Sequence, residues 1–140
     1  MTREWHWVAQ AAIHTAHDRL LALHGGLSGF RDQGAIESVL ARPQNLAAYG
    51  EPDAADLAAA YAHGLVKNHG FVDGNKRTGW LAAELFLVLN GYRFLCDDAT
   101  LVLSVERLAA GRTTQEEFAE WIREHLEEMH SGKSAPTNQD

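Results

Sequence analysis

At 140 residues the chain suffices for one ordinary domain with its own core and is short for two. Hydrophobic residues make up 46% and charged residues 22%, a balance that suits a soluble globule. A net charge of −7 gives the whole protein no electrostatic hold on a nucleic-acid backbone or an anionic membrane, so neither is an expected direct partner.

The opening stretch "MTREWHWVAQ" lacks the unbroken apolar run of a signal peptide, and the periodicity predicts a first helix from Trp5 to Leu23. Its apolar set is Val8, Ala12, Ile13, Ala16, Leu20 and Leu23, and Gly25-Gly26 supply the stop. Asp32 can cap a second helix with Ile36, Val39 and Leu40 on its inner face, and Pro43 marks its expected end. "RPQNLAAYGEPD" then reads as a loop or flap. Asp53 can cap a third helix ending near His69, whose small residues would allow close helix contact. "KRTGWLAAELFLVLN" is apolar almost all round and predicts a central, buried fourth helix stopped by Gly91. "YRFLC" suits a short extended connector, with Cys96 expected as a small buried residue. Asp97 or Asp98 can cap a fifth helix, "ATLVLSVERLAAG". A sixth is read over "TTQEEFAEWIREHLEEMH", opened by a capping box of Thr114 and Glu117. The fold class is therefore all-α: a compact bundle of about six helices within a single domain, 1–130, with a disordered tail, 131–140. A lone cysteine excludes an intrachain disulfide, no stretch approaches membrane-spanning length, and the expected location is the cytoplasm.

The chemistry concentrates in "NHGFVDGNKRTGW", residues 68–80. Gly70 to Gly74 are expected to form a tight loop, with Asn75 to Arg77 as the first turn of the buried helix. A helix N-terminus offers unpaired amides and the positive end of the macrodipole, so it favours anions, phosphate above all. Gly74 allows close backbone approach, and the Asn75 side chain can add a donor. Lys76 and Arg77 add two cations, one a point charge and the other a planar fork matched to phosphate oxygens. Asp73 would repel a bare phosphate unless a divalent cation lies between them, which suggests Mg²⁺ with a nucleotide such as ATP. His69 precedes the loop and carries the side chain best matched to accepting a proton near neutral pH.

Taken singly, most of these residues have duller explanations. A lone histidine at a helix end is usually a cap or a solvated group, an Asp-Gly pair usually makes a turn, and Phe71 reads as a core anchor. The Lys-Arg pair is harder to dismiss, because in a first turn it opposes the dipole. The stretch is not a P-loop: three residues separate its glycines, and Arg77 stands where the magnesium-binding hydroxyl should be. His14 and His17 lie three apart, but no carboxylate or cysteine has a convincing ligand spacing, and solvated histidines account for them.

The run His69-Gly-Phe-Val-Asp-Gly-Asn-Lys-Arg77 resembles the H-x-F-x-[DN]-[AG]-N-K-R signature of the Doc toxins, the small branch of the Fic superfamily. "RDQGAIESVLARPQN" before it and "LFLVLNGYRF" after it extend the resemblance over about residues 25 to 125. The resemblance implies a compact helical Fic fold in which the motif loop leads into a central helix. It further implies His69 as base, Asp73 as metal ligand, and Gly74, Asn75 and Arg77 as phosphate binders. The sequence departs from the AMP-transferring pattern H-x-F-x-[DE]-G-N-G-R-x-x-R at Lys76, which replaces a glycine, and at Trp80, which replaces the last arginine. Doc shares both departures, and in Doc-like proteins the nucleotide is held in reverse, so that the γ-phosphate passes to a protein hydroxyl. The implied activity is a kinase whose expected target is a threonine of elongation factor Tu, blocking translation. An AMP transferase is the first alternative, and a catalytically idle binding module the second. The implied partner is an antitoxin whose flexible segment folds onto the toxin, for which Trp5, Trp7 and Tyr49 are candidate contacts. The protein substrate is expected to dock on the flap, about Arg42 to Glu51.

Overall fold

The computed structural model describes residues 4–68 and 70–129. His69 and the tail 131–140 therefore lie outside the described residues. Six helices appear among them: α1 (Gln10–His24), α2 (Gln33–Tyr49), α3 (Ala54–Asn68), α4 (Asn75–Leu89), α5 (Asp98–Ala109) and α6 (Gln115–Arg123). Two short strands, β1 (Tyr92–Phe94) and β2 (Leu126–Glu128), pair antiparallel, with Phe94 opposite Leu126. The all-α class holds, with this small sheet added.

The centre is the α3–α4 pair. Helix α3 is buried from Ala54 to Val66 except for Asp56 and His63. Its alanines and Gly64 let neighbours approach closely: a Cβ on Gly64 would lie 2.4 Å from Val39 Cγ1 of α2. The same holds from the other side, since a Cβ on Gly79 of α4 would meet Val66 Cγ2 at 2.7 Å and the Ala62 carbonyl at 3.1 Å. Interiors packed at this density do not absorb an added methyl group without movement.

Capping follows the sequence closely. The Asp32 carboxylate accepts from Ala35 N–H at the start of α2, and Asp97 accepts from Thr100 N–H at the start of α5. Asp53 and Asp56 each accept the other's backbone N–H, and Thr114 and Glu117 complete their reciprocal box. Arg123 of α6 reaches back to Asp53 at 2.7 Å and Asp56 at 3.0 Å, tying α6 to the start of α3. Its hydrogen bonds hold the Asp53 carboxyl down at about 2.

Five expectations fail, the first three for a tertiary reason. The stretch before Gln10 is not helical: Trp5 and Trp7 lie against Phe86, Asn90 brackets the His6 backbone with two hydrogen bonds, and Val8 N–H donates to the Tyr61 hydroxyl. Those contacts use backbone groups that a helix would have claimed. Helix α2 runs through Pro43 to Tyr49, so most of the expected flap is its last two turns. The proline costs one hydrogen bond, but its ring is buried and Ala47 packs beyond it. Helix α6 stops at Arg123, because Leu126 leaves the helical path to pair with Phe94. Cys96, expected to be buried, is only half-buried, and Leu23 of the expected α1 stripe is 77% exposed.

Candidate functional site

The loop from Gly70 to Gly74 joins the two central helices and is fixed from three sides. From within, Phe71 is 1% exposed and stacks on His17 of α1, with ring centroids 3.7 Å apart. From ahead, the Asn75 side chain closes the loop on itself: its oxygen accepts from Phe71 N–H at 3.1 Å and its nitrogen donates to the Phe71 carbonyl at 3.0 Å. From the flank, the linker between α1 and α2 lies alongside. There the Gly70 carbonyl accepts from Arg31 and Asp32 N–H, and Val72 N–H donates to Gly29.

The loop then turns into α4 at Gly74, which has φ 80°, in the left-handed region where a side chain is strained. No side chain caps this helix, so the amides of Asn75, Lys76 and Arg77 have no intrahelical partner. Asp73, Gly74, Asn75, Lys76 and Arg77 border a cavity of about 540 Å³, whose other walls include Leu20 of α1, Trp80 of α4 and Val105 and Glu106 of α5. The loop end is polar, and the far wall is mainly apolar apart from His24 and Glu106.

The predicted residues have separate fates. Gly74 and Arg77 border the cavity, and Arg77 has no ion-pair partner among the described residues. Asp73 is exposed; its Oδ2 accepts from Leu27 N–H at 3.0 Å, while Oδ1 has no hydrogen-bond partner among the described residues. Asn75 borders the cavity, but its side chain is committed to the loop. Lys76 is turned to α5, with Nζ 3.0 and 3.1 Å from the two carboxylate oxygens of Glu106. Trp80, at the position of the missing arginine, is 8% exposed among Phe94, Phe118 and Trp121.

Two contributors escaped the sequence reading. His17, taken there for a solvated group, is 3% exposed, and its Nε2 lies 2.7 Å from the Asp73 carbonyl. A carbonyl only accepts, so Nε2 carries the proton and the ring supports the loop from below. Its place one turn after Ile13, within the α1 stripe, was the available signal. Glu106 had none, since nothing local marks a carboxylate that meets a lysine two elements away. His14 shares the packing, edge-on to Phe30 and Phe71. Among the described residues no three histidine, cysteine or acidic side chains gather as a metal cage.

Comparison with known proteins bears on this geometry. The family model described as "Fic/DOC family" matches residues 7–87, which is more than half of the chain and takes in α1 to α3, the motif loop and most of α4. The chain belongs to the Fic/DOC family. Among Fic/DOC relatives, "Toxin Doc" of Mycolicibacterium smegmatis is 45% identical over 76 residues, covering 52% of this chain and 58% of that protein. The "Protein kinase doc" of Escherichia phage P1 is 33% identical over 108 residues, covering 76% of this chain and 85% of the phage protein. The chain thus aligns with a little over half of the mycobacterial Doc and most of the phage Doc.

Proposed function

We propose that the chain is the toxin of a toxin–antitoxin pair and a Fic/Doc-type phosphotransferase. It moves the γ-phosphate of ATP to a hydroxyl of a translation factor, with elongation factor Tu the expected target. The observation that carries this reading is the uncapped start of α4, where free amides and Arg77 border the same cavity as Asp73. Similarity to a protein named as a kinase supports phosphoryl rather than AMP transfer. So does Trp80, which is packed into an aromatic cluster where the AMP-transferring pattern has an arginine.

In this mechanism the α4 amides and Arg77 hold the phosphates, and Gly74 leaves room for them. Among the described residues one Asp73 carboxylate oxygen has no hydrogen-bond partner, and this oxygen would hold a Mg²⁺. When bound, the ion neutralises phosphate charge and orients the chain. His69, by its place in the motif, takes the proton of the target hydroxyl. The hydroxyl oxygen bonds to the γ-phosphorus, and the bond to the bridging oxygen breaks to release ADP. His17 and Asn75 position the loop without touching substrate.

The antitoxin reading shifts with the fold. Trp5 and Trp7 pack on Phe86, whereas Leu20, Leu23, Leu81 and Leu85 line an open groove between α1 and α4 that meets the cavity. An amphipathic antitoxin segment laid there would reach the nucleotide site. The substrate surface is proposed at the end of α2, where Tyr49 is 89% exposed.

The test is paired labelling of cell extract with Mg²⁺ and ATP labelled at either the γ- or the α-phosphate. Label from the γ position on a discrete protein, absent with His69→Ala, is the expected outcome. Label from the α position would establish AMP transfer instead, and full activity of His69→Ala would refute the assigned base.

A further inference from the structure

Lys76 and Arg77 are adjacent cations at one helix start, yet only one is open to a ligand. The Lys76 ammonium sits between both oxygens of Glu106, while the Arg77 guanidinium has no ion-pair partner among the described residues. Glu106 and Asp73 are the two carboxylates on the cavity wall, and they stand on different elements. Asp73 lies next to the loop, where a divalent cation can mediate between it and a phosphate. Glu106 projects from α5, and its charge is met by the lysine.

Resting on the nucleotide reading above, we propose that Glu106 is a specificity-determining positioning residue, which acts through Lys76 to set where the phosphate chain lies. By holding the ammonium at the α5 wall, it keeps Lys76 from drawing a phosphate toward α5. The helix amides and Arg77 then form the strongest anion site in the cavity. A phosphate approaching the α5 wall meets a cation already neutralised and a carboxylate behind it. The pair thus works as an internal competitor: any phosphate that takes Lys76 must first displace Glu106. Both side chains are about half exposed, 50% for Lys76 and 54% for Glu106, so the pair is weak enough to exchange. The neighbouring lining residues on α5, Leu101, Val102 and Val105, are apolar, and none could replace the carboxylate.

The test is a double-mutant cycle read by calorimetric titration of the full chain with Mg²⁺ and imido-linked, non-hydrolysable ATP. Glu106→Gln frees Lys76 and should tighten binding about fivefold, the scale of an exposed ion pair, with a steeper loss of affinity in salt. In a Lys76→Met background the same substitution should leave affinity unchanged within about twofold, and Glu106→Asp should restore the wild-type value. Inorganic triphosphate should show the same pattern, since the effect runs through phosphate. If Glu106→Gln tightens binding equally with and without Lys76, Glu106 is a plain repulsive charge and the proposal is overturned. It is also overturned if the wild type binds the analogue and Glu106→Gln changes nothing, an outcome that leaves the kinase reading standing. Failure of both wild type and Glu106→Gln to bind would instead remove the nucleotide reading, and this proposal with it.

Discussion

The starts of α6 and α4 are the same structural object finished in opposite ways. At α6, Thr114 and Glu117 satisfy each other's backbone donors, and Glu116 and Glu117 put negative charge where the dipole is positive. At α4, the capping position is a glycine, no side chain closes it, and the first turn holds Lys76 and Arg77. One start is complete within the protein; the other leaves its donors open and adds charge of the wrong sign for stability. A helix end that gives up local stability in this way suits an anion, and the proposed function assigns it one.

Four experiments break or sharpen that contrast. The largest effect is expected from Phe71→Ala, which removes the buried ring under the α4 start and should cost about 3–5 kcal/mol in a denaturant titration. A smaller loss would mean that His17 and Phe30 close over the gap. Next, Arg77→Ala should weaken binding of the imido-linked ATP analogue by about 1.5–3 kcal/mol, the scale of a hydrogen bond to a charged group. Its melting temperature should hold or rise, because the removed charge opposed the dipole; a marked fall would show that Arg77 is structural. Thr114→Ala at the other start should cost about 1 kcal/mol of stability with no change in nucleotide affinity. The smallest effect concerns Asp53, whose carboxyl is held at about 2 by Arg123, below its ordinary 3.8. A depressed carboxyl contributes stability that is present above pH 3.8 and lost as the pH falls towards 2. Because Asp53 is 53% exposed, solvent screening limits this to about 0.5 kcal/mol. Melting temperatures of the wild type and Asp53→Asn should therefore converge between pH 4 and pH 2, and parallel curves would show that the pair adds nothing.

The sequence was most legible where a residue's role is decided by its near neighbours. Asp32, Asp53, Asp97 and the Thr114–Glu117 box were readable because a cap and its helix lie within four residues. The motif loop and the burial of α4 were readable for the same reason. What escaped depends on partners far along the chain. Pro43 looked like a terminator because local geometry says so, and only its burial explains why the helix continues. The helix expected from Trp5 does not form there because Phe86 and Asn90 claim that segment, and the pairing of Leu126 with Phe94 ends α6 early. At the proposed site, Asp73, Gly74 and Arg77 were singled out by residue type and spacing, and all three border the cavity. Asn75 could be picked out too, but nothing in its neighbourhood showed that its amide is spent on Phe71, nor that Lys76 is spoken for by Glu106.

The pairing of Gly70 and Val72 with the α1–α2 linker also bears on how the molecule comes together. These bonds join segments separated in the chain by the whole of α2 and α3, so the loop entropy of closing them must be met before they form. The α3–α4 hairpin needs only sequential neighbours and can assemble early. The contacts of the motif loop with the α1–α2 linker are therefore expected to form after the α3–α4 pairing. In hydrogen exchange, the Arg31, Asp32 and Val72 amides should open together as one unit, ahead of the α3 amides.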